Sequence, residues 1–423
     1  MDRREFISGA AGATGILLLN SRTAFGYEAN SAVRLGLLGC GNRGTSVATS
    51  FAQNTPARIV ALADLFPDKL EKGKAHFDKV NGDLGAPAID PKRMFHGHKA
   101  FEEIAHSADV DAVQISTPPW FHVEHLDAVV AGGKHAYCEK PLGVDVAQTR
   151  HALEIGKRAE GKVSLDVGFQ VRSAPPIAEV VRRIHAGDIG KVASIAAHYN
   201  SPASKPYPGL DKVSADELRL RNWLWDKVLS GNILVEQNIH VIDICNWMLQ
   251  SHPIKAVATG GRNVITHFGD CWDNYQVIYT YPDDVHLSFS STQYGTGTFF
   301  DVSESVFGSR GVAEAPYSGA VRILGENAWE WKDPSQPKSG TAEFAANGAF
   351  SDNLTFADRE KDKGFIESIT SGKFHNQAVD GVNSALSCML GRMAGEAKRE
   401  VTWDEQLTHG EQYEMKIDMT QFK

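Results

Sequence analysis

The 423-residue sequence has few cysteines and lacks an apolar stretch long enough to cross a membrane as a helix. Its five cysteines are odd in number and show no paired spacing, which argues against a disulfide framework. The apolar run near the start, residues 6–19, would span only ~21 Å of a hydrocarbon core that is ~30 Å thick. The net charge is −9 and no basic run follows this segment, so nucleic-acid binding and an integral membrane span are not expected.

The N-terminus has the pattern of an export signal. The paired Arg3 and Arg4 precede a small-residue and apolar run that ends at Leu19, and residues 24–26 offer a small-residue exit. This pattern resembles the twin-arginine type of signal, which exports proteins that are already folded. We therefore expect residues 1–30 to be a signal segment and the protein to be periplasmic or otherwise exported.

The most informative segment is an apolar strand that runs into a G-x-G-x-x-G loop. The loop consists of Gly39, Gly41 and Gly44, with Asn42 and Arg43 between the last two glycines. A dinucleotide pyrophosphate needs a tight turn, a close approach free of side chains and a helix N-terminus, and these glycines provide all three in that order. The sequence therefore predicts a nicotinamide cofactor.

The choice of cofactor depends on the next apolar run, which ends at Asp64. This aspartate stands twenty residues after Gly44. A carboxylate there accepts hydrogen bonds from the ribose hydroxyls and repels a 2′-phosphate. The predicted cofactor is therefore NAD rather than NADP.

The pattern along the chain divides it into three parts. Up to residue 169, short apolar runs alternate with amphipathic stretches, which is typical of parallel βα units. Beyond that point, alternation at period two indicates an antiparallel sheet with one covered face. We predict an α/β protein with a signal (1–30), a Rossmann domain with a doubly wound parallel sheet (31–169), and a C-terminal α+β domain with an open, mainly antiparallel sheet for substrate binding and oligomerisation (170–423).

Particular elements are predicted within these parts. The strands of the first domain are expected over residues 33–38, 59–63, 110–116, 135–138 and 163–169. Helices are expected over residues 175–185 and 379–393, and a loop-rich excursion over residues 331–355.

Two motifs stand at the carboxyl ends of predicted strands, where doubly wound sheets bind ligands. Thr117 and Pro118 leave one strand and lead to His122 at the start of a helix. Glu139 and Lys140 precede a proline at the end of another strand. A lysine beside a nicotinamide can donate or accept the proton of a carbinol, so Lys140 is a candidate catalytic residue.

Taken in this order, the motifs resemble those of the Gfo/Idh/MocA family of NAD(P)-dependent sugar and polyol oxidoreductases. The likeness continues through residues 168–172 and 403–405 and so covers nearly all of the chain after the signal. It implies that Lys140 lies against nicotinamide and substrate, and that the C-terminal sheet walls the pocket and forms oligomers, either dimers or tetramers. The cofactor-binding residues that follow from the motifs are Gly39, Gly41, Asn42, Arg43, Gly44, Asp64, Thr117, Pro118, His122, Glu139 and Lys140.

The family's Asp-x-x-x-His pair has its best match in Glu236 and His240, with glutamate in place of aspartate. On one continuous helix, Glu236, His240 and Asp243 would form a single stripe at i, i+4 and i+7. A histidine held by carboxylates accepts a proton near neutral pH, so Glu236 is expected to orient His240. A zinc site is the alternative interpretation, but no second histidine has a suitable spacing, and we predict no metal.

Further residues are expected to contact a carbohydrate substrate. Trp223 lies in a block whose aromatic faces suit either a sugar ring or a core. Tyr199 ends a strand that the resemblance directs at the pocket, which makes it a candidate for substrate contact or proton relay. The predicted substrate contacts are Gln170, Arg172, Trp223 and Asp243.

Three hypotheses for the function remain at this point. In the favoured one, an NAD-dependent oxidoreductase acts on a secondary hydroxyl of a sugar, glycoside or polyol, with His240 taking the hydroxyl proton while Lys140 holds the oxygen, or the reverse. Because an exported enzyme meets no free NAD pool, the alternative is an NAD-dependent glycosidase that oxidises the sugar transiently, eliminates the aglycone and restores its tightly bound cofactor. There Tyr199 would remove the carbon-bound proton. The third is a non-catalytic sugar or redox sensor that retains NAD.

Overall fold

The computed structural model describes residues 32–203, 206, 212–295, 299–332 and 352–423. The predicted signal over residues 1–30 and most of the predicted loop-rich excursion over residues 331–355 lie outside the described residues. Within the described ranges, no helix is both long and apolar enough to span a membrane.

The first domain is built on a parallel sheet of six strands in the order β3-β2-β1-β4-β5-β6. The strands are β1 (Arg34–Leu38), β2 (Arg58–Asp64), β3 (Met94–His96), β4 (Ala112–Ile115), β5 (His135–Cys138) and β6 (Leu165–Val167). The helices that follow them are α1 (Asn42–Asn54), α2 (Pro67–Asp83), α3 (Ala100–His106), α4 (His122–Ala131) and α5 (Val146–Ala159). Both faces of the sheet are covered, since Leu35 packs in one buried cluster with Phe51 and Leu38 in another with Leu126. The predicted doubly wound sheet is confirmed.

The second domain contains an open sheet of nine strands in the order β14-β13-β12-β11-β7-β10-β9-β8-β15. Its strands are β7 (Val192–Pro202), β8 (Lys255–Gly261), β9 (Asn274–Thr280), β10 (His286–Gly295), β11 (Asp301–Gly308), β12 (Gly311–Glu314), β13 (Arg322–Gly325), β14 (Trp329–Glu330) and β15 (Val401–Thr402). Strands β7 and β10 pair in parallel and the remaining neighbours pair antiparallel. The predicted open, mainly antiparallel sheet is therefore confirmed.

The helices of the second domain cover one face of this sheet and connect it to the first domain. They are α6 (Pro175–His185), α7 (Ala215–Arg221), α8 (Lys227–Ser230), α9 (Asn232–Glu236), α10 (Ile239–Leu249), α11 (Ala357–Ser371), α12 (Ala378–Ala397) and α13 (Trp403–His409). Helix α6 has the predicted bounds, and α12 extends the predicted helix at both ends. Helices α10 and α12 pack against the sheet and against each other.

Part of the predicted second domain returns to the first. Helix α11 packs on α1, where the ring of Phe365 meets that of Phe51 edge-on at 5.9 Å. Next to it, the Leu165 N–H donates to the carbonyl of His375, and the Gln377 N–H donates back to Leu165, both at 2.9 Å. Residues 357–377 therefore lie against α1 and along β6, the edge strand of the parallel sheet. Side chains from late in the sequence are thereby brought close to the glycine loop.

The five cysteines all lie in described residues, and none forms a disulfide. All are buried, and burial raises the pKa of thiols such as Cys138 and Cys388 well above the usual value. These thiols stay protonated and behave as small apolar groups in the core.

Candidate active site

A cavity of about 810 Å³ lies at the carboxyl ends of the parallel strands and is walled by both domains. It brings together most of the side chains predicted from the sequence. Those from the first domain are Gly39, Gly41, Asn42, Arg43, Gly44, Asp64, Thr117, Pro118, His122, Glu139 and Lys140. Those from the second domain are Gln170, Tyr199, Trp223, Glu236 and His240.

The glycine loop has the shape that a dinucleotide requires. Gly39 has φ +97°, and a Cβ atom there would lie 2.6 Å from the backbone of Ser116. A Cβ at Gly44 would lie 2.1 Å from the carbonyl oxygen of Gly39, whereas a Cβ at Gly41 would meet nothing within 4 Å. Helix α1 begins at Asn42 without a side-chain cap, so its first N–H groups face this open space. The loop therefore fits a pyrophosphate at the helix N-terminus.

Asp64 is buried and holds the loop as well as lining the cavity. Its Oδ2 accepts the Cys40 N–H at 2.7 Å, and its Oδ1 accepts the Phe66 N–H at 2.9 Å. Burial raises the pKa of Asp64, and these two hydrogen bonds act in the opposite direction. The carboxylate is therefore fixed in place before a ribose arrives.

Arg43 lies in the loop, but its charge is taken up by two carboxylates. Its Nε donates to Glu139 at 2.9 Å, and its Nη1 and Nη2 donate to Asp358 at 2.7 and 2.8 Å. Burial raises the pKa of Glu139, while the Arg43 guanidinium favours its ionised form. Arg43 thus ties the glycine loop to the Lys140 turn and to helix α11. Asp358 was not predicted, because it lies 315 residues away in the sequence.

His122 connects the two loops that carry the other cofactor motifs. Its Nδ1 lies 2.9 Å from the carbonyl oxygen of Pro141, and its Nε2 lies 2.7 Å from that of Thr117. Two carbonyl partners favour a doubly protonated ring, but burial dominates and lowers the pKa of His122 to about 4. The ring is therefore neutral at neutral pH and donates to one carbonyl. Its position identifies it as a brace between the loops.

The predicted stripe of Glu236, His240 and Asp243 on one helix is wrong. Helix α9 ends at Glu236, and α10 starts only at Ile239. The Lys140 ammonium donates both to the Glu236 backbone carbonyl and to its Oε1, the latter at 2.9 Å. A continuous helix would offer that carbonyl to the N–H of His240, so the lysine occupies an acceptor that helix continuation needs. Glu236 therefore positions Lys140 and does not orient His240.

His240 lines the same cavity as Lys140, although the two residues come from different domains. Its Nδ1 is buried and has no hydrogen-bond partner in the described part of the chain. Burial, reinforced by the charges of Lys140 and Arg43, lowers the pKa of His240 well below its usual value. The imidazole is therefore neutral at neutral pH; it has an unprotonated nitrogen that can accept a proton, but the lowered pKa makes it a weaker base than an exposed histidine.

The substrate end of the cavity also contains residues that the sequence did not indicate. The ring of Tyr317 lies edge-on to that of Tyr199 at 6.5 Å, and its buried hydroxyl has no partner among the described residues. Gln237 lines the wall between Glu236 and His240. Burial, and then the charge of Glu236, raises the pKa of Tyr199, so its hydroxyl is a neutral donor or acceptor.

Arg172 and Asp243, which we predicted to contact substrate, do not line the cavity. They pair with each other instead: the Arg172 Nε and Nη2 donate to the two Asp243 oxygens at 2.7 and 2.8 Å. Ser384 donates to Asp243 at 2.7 Å, and Asp380 accepts from Arg172 at 3.0 Å. The predicted role is corrected to a structural one, because each charge is already neutralised behind the cavity wall. The described residues also contain no group of three possible metal ligands.

The opposite end of the cavity, beside Asp64, is closed by parts of the chain far from the glycine loop. The guanidinium of Arg221 lies 3.9 Å above the ring of Phe66, and Met419 from the C-terminal tail lines the wall. His98 lines the same end. None of these residues belongs to a sequence motif. They reach the cavity because α7 and the tail fold back over the first domain.

Comparisons with known proteins agree with this arrangement of two domains. Residues 33–167 match the family model described as "Oxidoreductase family, NAD-binding Rossmann fold". Residues 177–314 match the model described as "GFO/IDH/MocA C-terminal domain". The first domain is therefore of the NAD-binding type.

Individual relatives match most or part of the chain. An inositol 2-dehydrogenase of Rhizobium meliloti is 27% identical over 293 residues, which are 69% of this chain and 78% of that protein. A glycosyl hydrolase family 109 protein of Streptomyces niveus is 30% identical over 185 residues, which are 41% of this chain and 34% of that protein. The crystal structure of an aldose-aldose oxidoreductase from Caulobacter crescentus has a TM-score of 0.67 and 20% identity, covering 88% of this chain and 99% of that one.

Proposed function

We propose that this chain, which belongs to the Gfo/Idh/MocA family of oxidoreductases through both of its domains, is an NAD-dependent dehydrogenase acting on a secondary hydroxyl of a sugar or polyol. The observation that carries the proposal is the convergence of Lys140, Glu236 and His240 in the cavity that also contains the glycine loop. The similarity to an inositol dehydrogenase supports a polyol as the substrate class.

The chain's own residues would hold the cofactor and move one proton. The first N–H groups of α1 and the Asp64 carboxylate hold the dinucleotide, which when bound supplies the hydride acceptor. The Lys140 ammonium uses two of its N–H groups on Glu236 and keeps one for the substrate oxygen. The neutral His240 takes the hydroxyl proton as the carbonyl forms.

The direct test is oxidation of a panel of polyols and aldoses, including myo-inositol and scyllo-inositol, by the purified protein with NAD. We expect at least one substrate to be oxidised, as followed by the absorbance of reduced nicotinamide. Lys140→Ala should abolish this signal while NAD binding, measured by calorimetry, persists. Bound NAD with no oxidation of any sugar or polyol would contradict the proposal.

A second candidate function is an NAD-dependent glycosidase. It is favoured by the partial similarity to a family 109 glycosyl hydrolase and by the presence of Tyr199 in the same cavity as His240. Tyr199 would remove the proton from the carbon next to the transiently oxidised one. Release of nitrophenol from nitrophenyl glycosides without net oxidation would favour this function. If the protein bound NAD but showed neither activity, the non-catalytic sensor would be the remaining hypothesis.

The protein is also proposed to be exported with its cofactor, on the basis of Arg3, Arg4 and the apolar run that follows. Outside the cytoplasm the cofactor must be restored in place, either by a second sugar or by completing a glycosidase cycle. Mass spectrometry after denaturation tests this requirement: about one NAD per purified chain is expected. Protein that purifies free of NAD would indicate an exchanging dehydrogenase.

Self-association is proposed through the outer face of the nine-stranded sheet. This face exposes apolar side chains on four strands, each more than 40% accessible: Val257, Ile278, Phe307 and Leu324. Exposed apolar side chains that share one face suit an interface. We expect a dimer or tetramer by light scattering, and Ile278→Asp with Phe307→Asp should yield monomers.

A further inference from the structure

We propose that Gln237 determines substrate specificity by presenting an amide N–H to one oxygen of the substrate, and that Gln293 positions it. The inference rests on the proposed function, because it concerns the substrate of that same site. Gln237 occupies the break between helices α9 and α10, between the residue that holds Lys140 and the base His240. Gln237 lines the cavity together with Glu236 and His240.

A hydrogen bond from Gln293 orients the side-chain amide of Gln237. Gln293 on strand β10 is fully buried, and its Nε2 donates to the Gln237 Oε1 at 2.9 Å. The backbone of Gln293 is anchored, because its N–H donates to the Asp273 carbonyl at 2.8 Å, while its Oε1 is buried with no partner among the described residues. With its oxygen engaged, Gln237 is left with its N–H groups for the cavity. A preset donor discriminates between substrates because it needs no reordering when the ligand binds.

An amide N–H pairs with an acceptor, so the substrate group that Gln237 recognises is a hydroxyl or carbonyl oxygen near the reacting carbon. A site that hydrogen-bonds such an oxygen rejects an analogue lacking it, because the buried amide is then left unpaired. The wild-type enzyme should therefore discriminate strongly between the polyol it oxidises and one of its monodeoxy analogues. Discrimination by an apolar wall would be much weaker.

The experiment compares kcat/KM for the polyol and its monodeoxy analogues in wild type and in Gln237→Leu. We expect at least one analogue to be disfavoured by about 100-fold in wild type and by less than about threefold in the variant. Gln293→Leu should raise KM for the parent polyol with little change in kcat, because it releases the amide without removing it. Gln53→Leu, at an exposed position near the end of α1, is the matched control and should behave as wild type.

The outcomes separate the inference from the proposed function. Unchanged discrimination in Gln237→Leu, with activity on the parent polyol near the wild-type value, would overturn the role of Gln237 and leave the dehydrogenase intact. If wild type oxidises no polyol, the proposed function fails and the role of Gln237 in it fails too.

A different observation carries a second inference, on how the cofactor is kept. We infer that the C-terminal tail, residues 413–423, closes the adenosine end of the cavity and retains NAD through turnover. The Phe422 carbonyl accepts both the backbone N–H of His98 at 3.0 Å and its Nδ1 at 2.9 Å. The Phe422 ring meets that of Phe66 edge-on at 5.9 Å. Both His98 and Phe66 line the cavity beside Asp64, which in this fold faces the adenosine ribose.

The tail is fastened on its other side to the second domain. Arg219 donates to the carbonyl of Met415 at 2.9 Å, and Gln421 donates to Asp216 at 2.8 Å. Ile417 is buried in an apolar cluster that contains residues of both domains. Gly97 leaves room for this contact, since a Cβ there would lie 2.9 Å from the backbone of the last residue. The tail thus bridges the two domains across the adenosine end.

The test measures how fast NAD leaves the loaded full-length protein after dilution into excess competing nucleotide. Phe422→Ala and Met419→Ala should each speed release by about tenfold, because each removes an apolar contact at the closed end. Thr420→Ala is the matched control, since the Thr420 hydroxyl bonds only to Asp418. If Phe422→Ala released NAD at the wild-type rate, the inference about the tail would be overturned. The proposed polyol oxidation does not depend on that result.

Discussion

Replacing Asp64 separates two roles that the structure assigns to one carboxylate. The side chain is 8% exposed and accepts two backbone N–H groups, those of Cys40 at 2.7 Å and Phe66 at 2.9 Å. It also lines the cavity at the position that holds the adenosine ribose in this fold. Asp64→Ala removes both roles, whereas Asp64→Asn keeps one oxygen acceptor and removes the charge.

The expected magnitudes follow from these contacts. A hydrogen bond to a charged group contributes ~1.5–3 kcal/mol, so the loss of two bonds would cost more than the loss of one. Burial raises the pKa of Asp64, which means that ionisation itself costs stability and offsets part of the gain. We expect Asp64→Ala to lower the free energy of unfolding by about 2–4 kcal/mol and Asp64→Asn by less. Loss of the ribose contact should weaken NAD binding by about 10- to 150-fold.

Urea unfolding measures the first effect, and calorimetric titration with NAD and NADP measures the second. Both variants should narrow the preference for NAD over NADP, because neither repels a 2′-phosphate. Stability should rank wild type, Asp64→Asn, Asp64→Ala. If both variants kept the wild-type ratio of NAD to NADP affinity, Asp64 would serve the loop alone and the ribose assignment would be refuted.

Three further predictions concern catalysis, acid stability and export. Lys140→Ala and His240→Ala should each slow turnover by about 10²–10⁴ with NAD still bound, and steady-state kinetics of the double variant should show less than the product of the two losses. Burial between aromatic rings lowers the pKa of His125 to about 3. Below about pH 6.5, unfolding therefore takes up a proton, and the free energy of unfolding falls by about 1.4 kcal/mol per pH unit. In His125→Phe, the free energy of unfolding measured with urea should fall less steeply as the pH is lowered. Fused to a reporter that is exported only when folded, residues 1–30 should direct export, and changing Arg3 and Arg4 to lysine should stop it.

The parts of the fold that could be predicted are those whose signal lies within a few residues of sequence. The glycine loop is one example, because Gly39 and Gly44 are required by contacts within the same βα unit and by its neighbouring strand. Strand β3 was missed, since its three residues lie at the sheet edge, none is fully buried, and no apolar run marks them. A short edge strand owes its existence to its neighbour β2 rather than to its own composition.

The error at Glu236 has a different origin. Every residue from Glu236 to His240 is compatible with a helix, so spacing alone predicted one continuous stripe. The helix breaks at residues 237 and 238, where the Glu236 carbonyl accepts from Lys140, a residue distant in sequence. Glu236 and His240 still line one cavity with Lys140, but through contacts that spacing does not reveal. Residue identity therefore selected residues that meet in one cavity, while the pairing of the groups depended on tertiary structure.

Arg43 extends this argument to the cofactor itself. The sequence predicts that Arg43 binds the cofactor, and this residue does line the cavity. Its guanidinium, however, donates through all three nitrogens to Glu139 and Asp358. Those carboxylates neutralise it, so the attraction for a pyrophosphate must come mainly from the uncapped N–H groups of α1. The arginine instead makes the loop, the Lys140 turn and α11 one connected unit, because its one guanidinium is bonded to a carboxylate beside Lys140 and to another on α11.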